Sequence, residues 1–285
     1  MTAITPAALG FTVTADGWQK VVRGRTLTFR LLHDWADLIA VEALQRAVFG
    51  ISDRDLIAAS ILIVIPKTGG QILGAFADNE LIGFLTAYGG YVVRRPLLVS
   101  DMLAVTPARR GGLGFALKTL QAALALAAGF QQITWTVDPL RAANARLNFE
   151  RLGADAREYR DDFYGSDFAS GLYGGLPTDR LVISWRIDQP SVADHLLGKR
   201  PPREPGSLDD LPLFASPGPA QARIAIPADI DSLVVTDLDA AREWRFHVRN
   251  ALHEAFAAGY ALTGFASADD SGDGQLLLTR ADPAD

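Results

Sequence analysis

The chain of 285 residues contains no cysteine and only four histidines. Without cysteine it has no disulfide, no thiolate nucleophile and no thiolate metal site. The histidines give no metal or triad signal, because His247 and His253 are six residues apart on a predicted helix and do not face a common ligand. A nucleophile elbow of the Gly-x-Ser-x-Gly type is also missing. Thiol, zinc and serine-hydrolase chemistry are therefore not expected.

Long hydrophobic runs and an excess of positive charge are missing as well. The start of the chain has no basic region followed by a continuous apolar core, and no later run is long and apolar enough to span a bilayer. The net charge of −6 argues against a general nucleic-acid surface. With 49% hydrophobic residues, the chain can bury a large core. We therefore expect a cytoplasmic protein without nucleic-acid or membrane partners.

The strongest local pattern is a predicted strand, a glycine-containing turn and a long helix. Residues 99–105 predict a buried strand that ends before Pro107, which cannot donate to a central ladder. From Leu113 onward, apolar residues recur every three or four positions, as on one face of a helix. Glycine amides at a helix N-terminus can bind a phosphate group, and neighbouring arginines strengthen such a site. The residues of this turn are Arg109, Arg110, Gly111, Gly112 and Gly114.

Other interpretations of these glycines are a plain tight turn, a P-loop and a dinucleotide-binding loop. A P-loop requires lysine and a hydroxyl residue after its last glycine, where this chain has Phe115, so that motif is absent. A dinucleotide site would use Gly112 and Gly114, with Asp138 at the end of the next predicted strand as the ribose-binding acid. Leu117 stands where its third glycine belongs. The dinucleotide interpretation is therefore the weaker one.

The sequence Pro107 followed by Arg109-x-x-Gly112-x-Gly114 resembles motif A, the acyl-CoA-binding segment of the GNAT superfamily of N-acetyltransferases. Only Ala108 separates the proline from the basic position, where the family usually has two residues. The resemblance implies an α/β fold with a mixed sheet, in which the pantetheine lies along a splayed strand and loop amides bind the CoA pyrophosphate. The implied cofactor is acetyl-CoA or another acyl-CoA. The implied cofactor contacts are Leu103, Ala104, Val105, Arg109, Arg110, Gly111, Gly112, Leu113, Gly114 and Phe115.

The predicted helix after Asp138 resembles the second acyl-CoA segment of the same family. Asn144 and Asn148 lie one helical turn apart and would reach the pantetheine amides or the substrate; solvated or capping amides are an equal alternative. Phe149 stands where the family usually has a tyrosine that protonates the leaving CoA sulfur. A phenyl ring has no proton to donate, so another group must supply it.

Acyl transfer to an amine also requires a base and a donor to the oxyanion. The family uses a backbone amide of the splayed strand for the oxyanion, here between Leu103 and Val105. Asp101, on the same predicted strand, is the candidate base, with an ordinary strand carboxylate as the alternative. The candidate acids are tyrosines of an aromatic and glycine-rich stretch that predicts a wall of the substrate site: Tyr159, Tyr164 and Tyr173.

Arginines near that stretch are candidates for binding the substrate. Arg180 or Arg94 would pair with a substrate carboxylate, although an exposed arginine is usually just solvated. Tyr173 is assigned with Arg180 to the substrate side. No metal site is expected.

We predict four segments along the chain: an N-terminal arm (1–25), a GNAT-like domain (26–187), a proline-rich linker (188–220) and a β-α-β-β extension (221–285). The linker contains seven of the fifteen prolines. Residues 135–140 and 172–180 resemble a less studied branch of the superfamily that carries such an extension. A unit of this size buries little alone, so it should dock on the first domain or on a partner subunit, which leaves a homodimer open.

The sequence thus predicts an acyl-CoA-dependent N-acyltransferase that transfers acetyl to a small amine or amino acid. Two alternatives remain open. One is a donor with a larger acyl group, such as succinyl-CoA, with an amino acid as acceptor. The other is a CoA-binding or partner-binding module without turnover, which Phe149 and the appended unit would suit.

Overall fold

A computed structural model describes residues 4–92, 94–109, 111–165, 174–200, 208, 211–267 and 272–280. The chain divides into two compact units. The first comprises Met1–Trp135 and Arg186–Leu197, and the second comprises Thr136–Trp185 and Gly198–Asp285.

The first unit is built on a mixed sheet with the strand order β1-β2-β3-β4-β5-β6-β7. Neighbouring strands from β1 to β6 are antiparallel, and β7 begins parallel to β6. This is the α/β fold with a mixed sheet that the resemblance implies, with antiparallel strands ahead of the strand that precedes the glycines. The strands are β1 (Thr12–Thr14), β2 (Gly17–Val22), β3 (Arg25–Leu31), β4 (Gln71–Ala77), β5 (Glu80–Val92), β6 (Arg95–Val105) and β7 (Gln132–Val137).

The segment predicted as an N-terminal arm forms two strands at the edge of this sheet. β1 and β2 make an antiparallel hairpin, and Trp18 of β2 pairs with Phe29 of β3. Their sequence shows little alternation because these outer strands are mostly solvated: Val13 is 70% exposed and Val21 is 62% exposed. Without a buried stripe, the usual period-two pattern of a strand is missing.

The helices follow in chain order: α1 (Trp35–Phe49), α2 (Ala59–Leu62), α3 (Leu113–Ala127), α4 (Ala142–Ala145), α5 (Pro190–Leu196), α6 (Ile230–Thr236) and α7 (Leu238–Ala257). Of these, α4, α6 and α7 belong to the second unit. In the first unit, Leu38 and Val41 of α1 share a core with Leu62 of α2, Phe84 of β5 and Ala104 of β6. Helix α3 packs against β4, β5 and β6.

Asp53 is of a residue type that predicts a helix N-cap, but the second helix starts later. Asp53 accepts a hydrogen bond from Arg46 Nε at 2.7 Å and does not begin a helix. Helix α2 begins at Ala59, whose amide donates to Glu42 Oε1 of α1 at 2.6 Å. The group that binds the first amide of α2 therefore comes from another helix, and a local capping pattern cannot reveal it.

The second unit contains an antiparallel sheet with the order β9-β8-β11-β12-β10. Its strands are β8 (Asp155–Arg160), β9 (Arg180–Arg186), β10 (Gln221–Ile226), β11 (Tyr260–Ala266) and β12 (Gly274–Arg280). β8 overlaps the aromatic and glycine-rich stretch that predicts a wall of the substrate site, and it pairs with β9 and, through Ala156 and Leu262, with β11. Strands from both sides of the predicted linker therefore share one sheet. The predicted domain boundaries stay a prediction.

Candidate functional site

Strands β6 and β7 are paired over a short distance only. Leu98 pairs with Ile133 and Val99 with Thr134. The next parallel rung would join Ser100 to Trp135, but in the described part of the chain the β6–β7 ladder ends at Val99. Strand β6 continues to Val105. The part of β6 after Val99, called here the open edge, matches the splayed strand that the resemblance implies.

The glycine loop, residues 111–114, leads from β6 into α3. Gly111 and Gly112 have φ angles of +104° and +123°, a backbone region that residues with a side chain rarely adopt. Gly112 is the N-cap of α3 and makes no side-chain cap hydrogen bond, and the first turn contains no acidic residue. By contrast, Asp229 and Asp237 cap α6 and α7. A helix N-terminus that begins with glycine in this way can bind an external anion.

The predicted cofactor contacts Leu103, Ala104, Val105, Gly111, Gly112, Leu113, Gly114 and Phe115 all lie on the open edge, the glycine loop or the start of α3. The backbone of Arg109 ends a short 3-10 turn, Pro107–Arg109, between β6 and the loop. Arg110 lies outside the described residues.

The side chain of Arg23 approaches the glycine loop from a distant part of the chain. A Cβ atom placed on Gly111 would lie 2.3 Å from Cζ of Arg23 and 2.4 Å from its Nη2. The guanidinium of Arg23 therefore rests directly against the loop. Arg23 lies in the turn between β2 and β3 with a φ of +48°. Sequence reasoning missed it, because nothing local to Arg23 indicates that this hairpin reaches the loop.

Asp101, the predicted base, is the extra residue of a β-bulge in β6. Thr86 of β5 pairs with Met102, and Ala87 pairs with Ser100, so Asp101 has no rung of its own. Thr86 Oγ1 accepts a hydrogen bond from the Met102 amide at 3.2 Å. The Asp101 side chain reaches solvent, yet enough protein surrounds it that desolvation raises the pKa of its carboxyl. Such a carboxylate is a stronger base than a freely solvated one.

Tyr88 of β5 is the titratable neighbour of Asp101. Burial raises the pKa of the Tyr88 phenol, and the Asp101 carboxylate raises it further. The phenol therefore keeps its proton at neutral pH. Nothing local in the sequence marks Tyr88 as a site residue, and only the pairing of β5 with β6 brings it to Asp101.

The second unit holds the other predicted site residues. Tyr159 donates to Asp179 Oδ2 at 2.7 Å, and Arg249 binds the two carboxylate oxygens of Asp179 at 2.8 and 2.6 Å. Burial, followed by the Asp179 carboxylate, raises the pKa of Tyr159 well above its usual range. The hydroxyl of Tyr159 is thus part of a buried ion-pair network. Tyr173 lies outside the described residues.

Tyr164 and Arg180 contact each other in the second unit. The Arg180 guanidinium lies 5.0 Å from the ring centre of Tyr164. The Tyr164 hydroxyl is 3.2 Å from Thr136 Oγ1. Arg180 is buried, so it is not the ordinary solvated arginine of the alternative interpretation.

The helix after Asp138 changes type along its length. Helix α4 continues as a π-helix over Arg146–Arg151. Asn144 is partly buried, whereas Asn148 and Phe149 are buried. π-Helical turns are rare and are frequent at functional sites. The roles predicted for the second-unit residues stay predictions.

Both carboxylate oxygens of Asp138, the acid required by the dinucleotide interpretation, accept hydrogen bonds from within the protein. Arg245 donates to both carboxylate oxygens at 2.9 and 2.8 Å, and the Leu140 amide donates to Oδ1 at 2.9 Å. Although burial opposes the shift, the Arg245 guanidinium lowers the pKa of Asp138. This carboxylate is therefore poorly suited to bind a ribose hydroxyl. Within the described ranges, no group of three or more histidine, aspartate and glutamate side chains is arranged to hold a metal ion.

No protein family's sequence model matches the chain. No curated protein matches it in sequence either. Among solved structures, the chain is similar to a GNAT-family acetyltransferase from Streptococcus pneumoniae, with 15% identity over 55% of this chain and 97% of that one, and a TM-score of 0.44. It is also similar to the Escherichia coli ribosomal-protein-S18-alanine N-acetyltransferase, with 18% identity over 56% and 94% of the two chains and a TM-score of 0.45.

A third similar structure is that of YncA from Salmonella typhimurium with its cofactor acetyl-CoA. The identity is 20% over 57% of this chain and 95% of that one, and the TM-score is 0.47. These similarities concern the fold over little more than half of the chain. None of the helices in the described ranges is both long and apolar enough to cross a membrane.

Proposed function

We propose that the chain is an acyl-CoA-dependent N-acyltransferase that transfers an acetyl group from acetyl-CoA to the amine of a small molecule or amino acid. The observation that carries the proposal is the uncapped N-terminus of α3 directly after the open edge of β6. A helix N-terminus with glycines can bind phosphate, and an unpaired strand edge can bind the amides of a pantetheine arm. Together they suit a ligand that carries both groups.

The residues around the glycine loop fit the anionic end of CoA. Backbone amides at the start of α3 and the guanidinium of Arg23 would bind the pyrophosphate. Side chains at Gly111 and Gly112 would be strained, and one at Gly111 would collide with Arg23. When bound, acetyl-CoA supplies an acyl group that is activated as a thioester.

Asp101 is assigned the role of base. The amine nitrogen must lose a proton as its bond to the acyl carbon forms, and the Asp101 carboxylate accepts that proton directly or through a water molecule. Backbone amides of β6 between Leu103 and Val105 donate to the carbonyl oxygen as negative charge develops on it. The raised pKa of Asp101 supports this assignment, because a stronger base drives the proton transfer further.

The carbon–sulfur bond breaks in the same reaction, and the sulfur must take up a proton. Tyr88 beside Asp101 is a phenol that can supply it. The role predicted from the sequence for Tyr164, which belongs to the second unit, stays a prediction. Tyr159 is a poorer candidate, because its proton is held by Asp179 in a buried network. Phe149 has no proton to donate.

The test is a measurement of thiol release from acetyl-CoA and from succinyl-CoA with a panel of amines and amino acids. Gly114→Leu would cover the first amides of α3 without forcing an unusual backbone angle, since Gly114 lies within the helix. Ala127→Leu adds the same side chain at the exposed end of that helix and is the matched control. We expect activity with acetyl-CoA that Gly114→Leu abolishes and Ala127→Leu retains. A preference for succinyl-CoA would support the larger acyl group.

A second candidate function is a CoA-binding module without turnover. The observation that favours it is Phe149, which is buried where the family usually has its acid. Such a module would bind acetyl-CoA, lose that binding in Gly114→Leu and release no thiol with any amine. Release of thiol that depends on an added amine would rule it out.

A further inference from the structure

Lys118 is a buried amine on the inner side of α3. Its side chain is 2% exposed. Nζ donates to Ser100 Oγ of β6 at 2.9 Å and to Gln121 Oε1 of α3 at 3.2 Å. It also lies 3.7 Å from the ring centre of Trp135 of β7. One amine therefore contacts the helix that begins at the glycine loop and both strands next to the open edge.

The two strand residues that Lys118 contacts stand at the point where β6 and β7 part. The last paired rung joins Val99 to Thr134. Ser100 and Trp135 follow directly, and the side chains of both contact Lys118 of α3. Gln121 Nε2 donates to the same Ser100 hydroxyl at 3.3 Å. A polar cluster thus lies between α3 and the two strands at the point where their pairing ends.

We propose that Lys118 is a positioning residue that sets the separation of β6 and β7 at the start of the open edge. This inference rests on the proposed function, because the separation matters for binding if the open edge takes an acyl-CoA. Lys118 acts through the strands and not on the reacting atoms. Ser100 directly precedes Asp101, so a shift of Ser100 also moves the proposed base.

The charge of Lys118 changes near neutral pH. Burial lowers the pKa of its amine to about 7. The described contacts of this amine from α3, β6 and β7 include Gln121, Ser100 and Trp135, whose side chains are uncharged. Below that pH the ammonium is attracted to the face of Trp135 and forms charge-assisted hydrogen bonds to Ser100 and Gln121. Above it these attractions weaken. The interactions of Lys118 with β6 and β7 should therefore weaken as pH rises.

The first test is a calorimetric titration of the full chain with acetyl-CoA between about pH 6 and about pH 9. We expect the Kd of the wild-type protein to rise by about tenfold as pH passes through neutrality. Lys118→Met should bind weakly without this dependence. Lys118→Arg keeps a fixed charge and should retain tight binding across the range. Lys67→Met, at an exposed lysine, corrects for other groups that titrate.

The inference is overturned if Lys118→Met and Lys67→Met bind acetyl-CoA with the same affinity and the same pH profile. In that case the proposed function still stands. If the wild-type protein binds no acetyl-CoA, the proposed function fails, and a second measurement decides the role of Lys118 alone.

That second measurement is hydrogen exchange of the backbone amides in the unliganded protein. We expect faster exchange in β6 and β7 around Ser100 and Trp135 in Lys118→Met than in Lys67→Met. Equal exchange in the two variants would show that Lys118 does not hold the strands. Should Lys118→Met not fold, Ser100→Ala removes one of the contacts with less loss of volume, and the same outcomes apply to it.

Discussion

Tyr88 on β5 lies beside Asp101 on β6. Burial raises the pKa of the Tyr88 phenol, and the Asp101 carboxylate raises it further. Asp101 is also the unpaired residue of the bulge. The bulge therefore presents a carboxylate of raised pKa beside a phenol that keeps its proton. A base and an acid side by side are what acyl transfer from a thioester to an amine requires.

Asp101→Asn should lower the turnover of an amine by about 100-fold, because the amide cannot accept the proton. In the wild-type protein, activity should fall as pH decreases through the raised pKa of Asp101, where the base becomes protonated. Steady-state rates over a pH series check both expectations. Glu80→Gln, at the exposed first residue of β5, is the control and should keep the wild-type profile. A wild-type profile in Asp101→Asn would remove Asp101 from the mechanism.

The same substitution should make the fold more stable. Because the pKa of Asp101 is higher in the folded than in the unfolded chain, the folded state binds the proton more tightly. Stability is therefore lost as pH rises through the window from the unfolded value of 3.8 to the raised folded value. Asparagine does not ionise, so Asp101→Asn should melt at a higher temperature than the wild type at neutral pH. Thermal melts should show this gain disappearing in acid below that window.

Arg23→Gln should weaken binding of CoA by about tenfold, since it removes one charged hydrogen-bond donor from the glycine loop. Arg25→Gln changes an exposed arginine of the same hairpin and should have little effect. Titrations with CoA and with dephospho-CoA are the measurement, and both ligands should lose affinity equally. A loss seen only with CoA would mean that Arg23 binds the 3′-phosphate and not the pyrophosphate.

Arg245→Met should destabilise the second unit by about 3–5 kcal/mol, because it leaves the buried Asp138 carboxylate without its partner. Arg242→Met breaks an exposed pair with Asp239 and should cost less than about 1 kcal/mol. Denaturant unfolding of the two variants measures the difference. The pKa of Asp138 is lowered in the fold, so this stabilisation should be present above the unfolded pKa and lost as pH falls through the folded one. Equal costs for the two variants would contradict a buried, charged pair.

The central elements of the first unit could be predicted from the sequence because their patterns are local. The predicted strand at residues 99–105 is the second half of β6, α3 begins at Leu113 as expected, and the strand predicted to end at Asp138 is β7, Gln132–Val137. Apolar periodicity and the glycines between the elements define these boundaries. The glycine loop was predictable for the same reason.

Contacts between distant parts of the chain could not be predicted in this way. Arg23 reaches the glycine loop only because β2 and β3 pair, and Lys118 reaches Ser100 only because α3 packs on β6. The bulge at Asp101 depends on the register with β5. Each contact follows from tertiary packing, which residue spacing does not encode.

The buried face of helix α7 could also be predicted only in part. The apolar positions Ala241, Val248 and Leu252 are buried as the helical period predicts. Arg245 is buried among them, which an apolar pattern cannot anticipate. Arg245, Arg249 and His253 follow one another at four-residue spacing on this helix. Arg245 binds Asp138, Arg249 binds Asp179 and His253 binds Asp161. A partner far away in the sequence makes the buried charge of Arg245 tolerable.

The measurement that tests the proposed function most directly is a calorimetric titration of the purified protein with acetyl-CoA and, separately, with NADH. Our account predicts that acetyl-CoA binds to one site per chain, that Gly114→Leu abolishes this binding while Ala127→Leu does not, and that NADH does not bind. Binding of NADH without binding of acetyl-CoA would mean that the glycine loop is a dinucleotide site, and the acyltransferase proposal would be wrong.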